Sequence, residues 1–433
     1  MENELLIKID EKPKPLAWFL LSFQHVFAMF GATVLVPILT GMPISVALFA
    51  SGLGTLLYVV ITKMKMPVYL GSSFAYIAAV NIAKNAMGGD ISGAQSGLVM
   101  VGIVYLIVAM VIKAVGTKWL DKMLPPIVIG PMIIIIGIGM APVAIGQAGL
   151  VAGADWRALV VALVAFGVTV LSTLKGKGFI KIIPFLLGII AGYLTAYFLG
   201  LVDLTPVSEA MAAGLFKVPE FIFPFKVGNF ETWNFAFSDV AWSIVPIAFV
   251  TISEHIGDHT VLGQICGENF LQDPGLDKSL LGDGVATTVS ALIGGPANTT
   301  YGENTGVIAL TKVGSVWVIM GAAVIAVLLS FISPFAALIS TIPDPVLGGM
   351  SIILFGVIGS NGLRILIDNK VDFNEQRNLI IASSMLILGL GGAILQFNNF
   401  VSLEGMALAG IVGIILNFVL PKTSEKPAKP TIN

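Results

Sequence analysis

The sequence predicts an all-α polytopic membrane protein of fourteen transmembrane segments. It is arranged as a 7+7 inverted repeat in which spans 3 and 10 are broken by short extended segments. Three observations lead there. Of 433 residues, 56% are hydrophobic and 11% charged, against about 25% charged in soluble domains, too few polar side chains to cover a globule. Threaded as fourteen crossings, the chain puts nineteen of its 23 Lys and Arg residues on one side. Motifs also recur between the halves, seven spans apart. The balance of 23 basic and 25 acidic residues excludes a basic nucleic-acid binder, and the single cysteine, Cys266, excludes an internal disulfide or a multi-cysteine metal cluster.

A membrane-crossing helix needs about 20 mostly apolar residues. Eleven stretches qualify: 16–39, 43–61, 94–115, 126–144, 158–174, 182–201, 241–264, 315–339, 345–359, 379–395 and 405–420. Three more, 68–82, 279–293 and 298–311, are short or polar and complete the fourteen. The first run is too long for a secretory signal, lacks a small-residue cleavage pattern, and carries Gln24 and His25 in its middle, so it reads as a retained span. With the N-terminus inside, only Lys84, Arg157, Lys217 and Lys226 lie outside. This is the asymmetry of the positive-inside rule, and it puts both termini in the cytoplasm.

Gln24-His25-Val26 recurs as Glu254-His255-Ile256, an offset of 230. Leu124-Pro125 followed by Gly130-Pro131-Met132 recurs as Ile342-Pro343 followed by Gly348-Gly349-Met350, an offset of 218. These pair spans 1 with 8 and 5 with 12. Seven is odd, so the second copy enters from the opposite side, an architecture found in secondary transporters. Segment 202–239, with five acids against two lysines, is expected to be a solvated external connection.

Paired interruptions in two inverted halves point to a transport site. Span 3 contains Gly71-Ser72-Ser73-Phe74, and span 10 runs from Pro296 through Asn298-Thr299-Thr300-Tyr301 to Gly302-Glu303-Asn304. The offset of 230 lays Ser72-Ser73-Phe74 over Gly302-Glu303-Asn304. Proline and β-branched residues favour an extended entry into a half-helix. Half-helices starting near Phe74 and Gly302 would aim unpaired N–H donors into the membrane centre.

Span 8 holds Glu254, His255, Asp258 and His259 in an apolar run, and span 10 adds Glu303. Each charge at mid-bilayer costs about 2.5–3.5 kcal/mol on insertion scales, so such groups are functional candidates. Glu254 and Asp258 share one helix face, His255 and His259 another. No Lys or Arg partner is evident in a neighbouring span, and a carboxyl that binds a proton on one side and releases it on the other is a proton carrier. Asp283 is expected at the membrane boundary. His25 is expected to pack helices. The spacing of His255 and His259 suits a metal, but the metalloprotease motif needs Glu where Ile256 stands, so neither a metal nor a metal enzyme is expected.

Through Gly71-Ser72-Ser73-Phe74-Ala75, Ser253-Glu254-His255-Ile256-Gly257 and Asn298 to Asn304, the chain resembles the nucleobase–ascorbate transporter family, and within it the bacterial uracil permeases. The signature of an amide or acid followed by Asn-x-Gly-x-x-x-x-Thr stands here as Glu303-Asn304-Thr305-Gly306 through Thr311. The resemblance implies a proton-coupled nucleobase symporter of the cell (plasma or inner) membrane. It divides the chain into a core domain (16–115 and 240–340) and a gate domain (126–201 and 344–420), joined through 202–239, with homodimers formed by the gate domains. It implies that Glu254 and Glu303 bind the ring edges and backbone N–H groups near Phe74 and Gly302 meet its carbonyls. Ser73 and Tyr301 complete the expected binding set, and Glu254, Asp258 and His255 the expected proton-coupling set. Relatives resembling xanthine or urate transporters usually carry Gln at the Glu303 position, so the acid implies uracil, with a purine base as the alternative. Asp258 stands where such permeases often have His, which leaves sodium as the alternative coupling ion. Phe355 stands where they often have Tyr. No cofactor and no nucleic-acid partner are expected. The rival from another class is an anion channel or exchanger on the same scaffold.

Overall fold

The computed structural model describes residues 5–181, 183–398 and 401–421. Ile182, which opens one predicted span, and Lys422, Lys426 and Lys429 of the predicted inside set lie outside them. The first half runs α1 (Pro15–Thr40), α2 (Ile44–Ile61), β1 (Leu70–Ser72), a single 3-10 turn at Phe74–Tyr76, and α3 (Ile77–Ala86). It continues with α4 (Ser92–Val115), α5 (Lys118–Met123), α6 (Pro126–Gly139), α7 (Ala141–Gln147), α8 (Trp156–Lys175) and α9 (Pro184–Phe198). The connecting segment holds α10 (Thr205–Ala213), β2 (Ile222–Phe223) and β3 (Glu231–Thr232). The second half begins with α11 (Asp239–Ile244), α12 (Ile247–Cys266), α13 (Leu276–Leu292), β4 (Asn298–Thr300), α14 (Gly302–Thr311), α15 (Val316–Ser330) and α16 (Ser333–Ser340). It ends with α17 (Asp344–Asp368), α18 (Gln376–Leu390), β5 (Ile394–Asn398), β6 (Val401–Glu404) and α19 (Gly405–Val419).

Among the described residues, seven helical stretches are long and apolar enough to cross a membrane: Pro15–Thr40, Ile44–Ile61, Ser92–Val115, Pro126–Gln147, Trp156–Lys175, Asp239–Cys266 and Asp344–Asp368. The apolar helices α9, α15, α18 and α19 are shorter. Prolines start several helices where a missing N–H costs nothing, as at Pro15, Pro126 and Pro184. Inside the predicted runs, Pro37 and Pro131 stand within continuous helices, whereas one run breaks at a proline. The run 315–339 divides at Phe331–Ile332, just before Pro334 at the start of α16. The run 345–359 is too short a reading: α17 continues to Asp368, because Asn361 and Arg364 end the hydrophobicity but not the helix.

The helices pack in two groups. In one, α4 and α2 lie against α13, and α15 lies against α2 and α1. In the other, α17 packs on α6 and α8, α8 on α9, and α18 on α6 and α19. Close approach in each depends on glycine. A Cβ on Gly284 would sit 2.7 Å from Tyr105 and 3.0 Å from the Gly102 carbonyl, and one on Gly130 would sit 3.1 Å from the Gly362 carbonyl. Without a driving force between apolar helices in lipid, such small-residue contacts let backbones approach and gain van der Waals energy.

Segment 202–239 is more than a solvated connection. Trp233 is fully buried, and Asn234 and Ala236 donate backbone N–H groups to Ser92 and Ser96 Oγ at 3.0 and 2.8 Å. Lys217 N–H donates to Phe331 O at 2.9 Å, and Ser333 N–H to Leu215 O at 3.0 Å, so the segment pairs with the break between α15 and α16. Its aromatic residues supply the adhesion, Phe221, Phe223 and Phe230 meeting at ring distances of 5.5–5.9 Å.

Candidate functional site

The two interrupted segments meet. β1 and β4 pair antiparallel, with Leu70 opposite Thr300, Gly71 opposite Thr299 and Ser72 opposite Asn298. The pairing extends through Ser73 N–H to Ala297 O (2.9 Å) and Tyr301 N–H to Tyr69 O (3.1 Å). Backbone groups buried in an apolar surrounding must be paired, and the remaining ones are met by hydroxyls. Thr55 on α2 accepts from Leu70 N–H at 2.9 Å and donates to Leu70 O at 3.2 Å. Thr287 on α13 does the same for Asn298, at 3.2 Å both ways. Tyr301 OH donates to Ser72 O at 3.0 Å and accepts from Thr33 at 3.2 Å. A Cβ on Gly71 would lie 2.7 Å from the Tyr301 hydroxyl, so glycine is required at this crossing.

Both strands run into helix starts. The 3-10 turn begins at Phe74 and α14 at Gly302, 228 residues apart, as Leu70 and Asn298 are. The structural correspondence is therefore two residues shorter than the motif offset of 230, and it aligns Ser73 with Tyr301 and Phe74 with Gly302. The first-turn N–H groups of α14 have no acceptor four residues earlier within the helix. They and the positive end of its dipole face the same place as the carboxyls.

That place is a cavity of about 410 Å³. One wall carries Ser73, Phe74, Glu254, Asp258, Thr299, Thr300, Tyr301, Gly302 and Glu303, and the facing wall Ile133, Ile136, Leu354 and Ile358, with Asn361 and Arg364 at its edge. Thr300 Oγ1 donates to Asp258 Oδ2. Among the described residues, Glu254, Asp258 and Glu303 enter no ion pair, and the buried hydroxyls of Ser73 and Thr299 have no protein partner. Unpaired buried donors and acceptors are costly; here both belong to residues that line the cavity. Phe74 is backed edge-on by Phe355, ring centroids 6.4 Å apart at 80°, so Phe355 supports Phe74 and does not line the cavity.

Of the expected site residues, the structure gathers Glu254, Glu303, Phe74, Gly302, Ser73, Tyr301 and Asp258 around this cavity. His255 points away from it. Its Nδ1 pairs with Asp283 Oδ2 and its Nε2 with Ser279 Oγ, both at 2.9 Å, with His255 and Asp283 side chains fully buried. His259 stacks on His255 with centroids 3.9 Å apart and pairs with Tyr58 OH at 2.5 Å. Asp283 is buried midway along α13 and holds α13 to α12. His25 is buried and receives the Asn304 amide at 3.0 Å on its ring and 3.1 Å on its carbonyl, which fixes the residue next to Glu303 against α1. Sequence reasoning missed Thr299 and Thr300, whose signal was a β-branched pair in an extended segment, and Asn361 and Arg364, hidden beyond the end of an apolar run.

Chemically, the cavity offers carboxyl acceptors, N–H and hydroxyl donors, an aromatic face and an apolar opposite wall. It complements a flat, neutral ligand that carries both N–H and C=O groups on its edge.

Residues 16–397 match the profile of the Permease family. The chain is 49% identical over 424 residues to a uracil permease of Bacillus caldolyticus, covering 97% of this chain and 95% of the relative. It is 48% identical to a uracil permease of Bacillus subtilis (strain 168), covering 99% and 98%. To a uracil permease of Escherichia coli (strain K12) it is 43% identical, covering 95% and 93%. Among solved structures, it resembles the transmembrane domain of a cyanobacterium bicarbonate transporter, BicA, with a TM-score of 0.63 at 14% identity, covering 95% of this chain and 100% of that one. It also resembles murine Slc26a9, an anion transporter, with a TM-score of 0.67 at 10% identity, covering 94% and 68%. At such identities the likeness is one of fold.

Proposed function

Because this chain belongs to the nucleobase–ascorbate transporter family, as an integral membrane permease and not an enzyme, we propose that it imports uracil. The observation carrying this reading is the cavity where Glu254, Glu303 and the first turn of α14 converge with Phe74. Uracil presents two N–H donors and two carbonyl acceptors on one flat ring, and this set of acceptors, donors and aromatic face matches them. Three carboxyl groups disfavour an anion, so the anion carriers sharing the fold are not the functional model. The names of the relatives at 43–49% identity support uracil over a purine base.

In this reading the fourteen-span inverted repeat holds, both termini are cytoplasmic, and the membrane is the cell membrane. The paired strands and their half-helices are spans 3 and 10. The α1–α4 and α11–α16 group is a core domain that carries the base past a gate domain of α6–α9 and α17–α19 by alternating access, with dimers formed through the gate domains. Protons drive uptake through Glu254 and Asp258. His255 contributes by fixing α12 through Asp283. Asp258 also suits sodium, whose ligands are oxygens.

Uptake of labelled uracil into proteoliposomes under an imposed proton or sodium gradient tests this. Accumulation driven by the proton gradient, blocked by excess uracil more than by xanthine or thymine, is expected. Accumulation under neither gradient overturns the symport reading, and stronger competition by xanthine replaces uracil with a purine.

A further inference from the structure

A second cavity, of about 290 Å³, lies on the other side of Phe74. It shares Phe74, Ala75 and Ile136 with the carboxyl-lined cavity and no other lining residue. The register along each helix shows that the two open in opposite directions. On α6, Ile133 faces the carboxyl cavity, whereas Gly139 and the following Met140, up to two turns later, face the second. On α12, Glu254 and Asp258 face the first and Ile247, two turns earlier, the second. α3 extends from Phe74 into the second cavity through Ala78 and Ile82. α17 leads from Leu354 through Ile358 out to Asn361 and Arg364 on the first only. With the lysine-rich side inside, the carboxyl cavity opens to the cytoplasm and the second cavity to the exterior.

The linings differ in kind. Among the described residues of the second cavity, glycine, alanine and hydrocarbon dominate, and the one side-chain hydroxyl, Ser243 Oγ, already donates to Val240 O at 2.8 Å. Such a lining excludes charged solutes through their desolvation cost and gives a neutral ring nothing to hold. Its volume is near the lower bound, about 300 Å³, of small-molecule pockets. We propose that this second cavity is the external half of the substrate's path, and that Phe74 and Ile136 form the partition between it and the carboxyl-lined holding site. The proposal rests on the transporter reading and the orientation given above.

Cysteine labelling tests it without a substrate. In a Cys266→Ser background, a membrane-impermeant maleimide should modify Ala78→Cys at least tenfold faster from outside, and Asn361→Cys at least tenfold faster from the cytoplasmic face. Equal rates from both faces, faster cytoplasmic labelling of Ala78→Cys, or no labelling of it from either face would overturn the proposal. A second variant, Ala78→Trp, should lower uracil uptake at least tenfold while the purified protein binds uracil within twofold of the parent. Parental uptake, or loss of binding by the folded variant, would also overturn it. If the parent itself neither binds nor carries uracil, the substrate reading fails, and the labelling result still decides whether the partition exists.

Discussion

Replacing Asp283 with alanine removes the carboxyl group that joins α13 to α12. Both side chains of the Asp283–His255 pair are 0% exposed and meet at 2.9 Å. Water cannot replace the lost acceptor, so His255 Nδ1 is left unpaired, at a cost of about 1–3 kcal/mol. That raises the unfolding constant roughly 5- to 150-fold. A melting-point change of about 2–4 °C per kcal/mol is typical of 150–250 residues and falls with size, so a loss of a few degrees is expected here. Asp283→Asn keeps an oxygen in the same place and should cost under about 1 kcal/mol. Thermal unfolding of the purified protein in detergent, followed by uracil titration, provides the comparison. His255 adjoins Glu254, so the alanine variant should also bind uracil more weakly than the asparagine variant. An alanine variant that melts and binds like the parent would refute the claim that this pair holds α12. An asparagine variant as damaged as alanine would show that the negative charge matters, not the bond.

Glu303→Gln should weaken uracil binding by about 1.5–3 kcal/mol, roughly 10- to 150-fold, the worth of a hydrogen bond to a charged group; calorimetric titration giving parental affinity would remove Glu303 from the site. Gly71→Ala forces a methyl to within 2.7 Å of the Tyr301 hydroxyl and should cost about 1–3 kcal/mol as overpacking, visible as a lower melting temperature and lost uptake. Thr300→Val deletes the donor to Asp258 and should cut proton-driven uptake several-fold, with Thr300→Ser restoring it; an inactive serine variant would point to packing at this position instead.

The membrane character, the long helices and the face shared by Glu254 and Asp258 were legible because each is a local property. Hydrophobic runs mark length, and a spacing of four residues marks a helix face. What was not legible depends on residues distant in sequence. Asp283 looked peripheral because an acid near the start of a short apolar run resembles a loop residue; its partner, 28 positions away on another helix, is revealed only by packing. The offset of 230 came from motifs in spans 1 and 8, and the strand junctions sit at 228 because the stretch from Glu254 to Asn298 is two residues shorter than that from Gln24 to Leu70. Thr55 and Thr287 gave no signal, since a threonine in an apolar helix usually bonds its own helix backbone, as Thr169 and Thr195 do here. The acids of segment 202–239 mark its exposed surface, whereas the contacts made by its aromatic residues leave no local signal.

The β1–β4 pairing also sets a schedule for synthesis. Leu70, Gly71 and Ser72 leave the ribosome 226–230 residues ahead of the residues that will complete them. At about 5–20 residues per second, this is a wait of roughly ten to forty-five seconds. During that interval the early half has its peptide groups with no strand beside them, and each such group costs several kcal/mol if buried unmet. The nascent chain must therefore keep this stretch hydrated, or sheltered by the insertion machinery, until Asn298 arrives, so that neither half can mature alone.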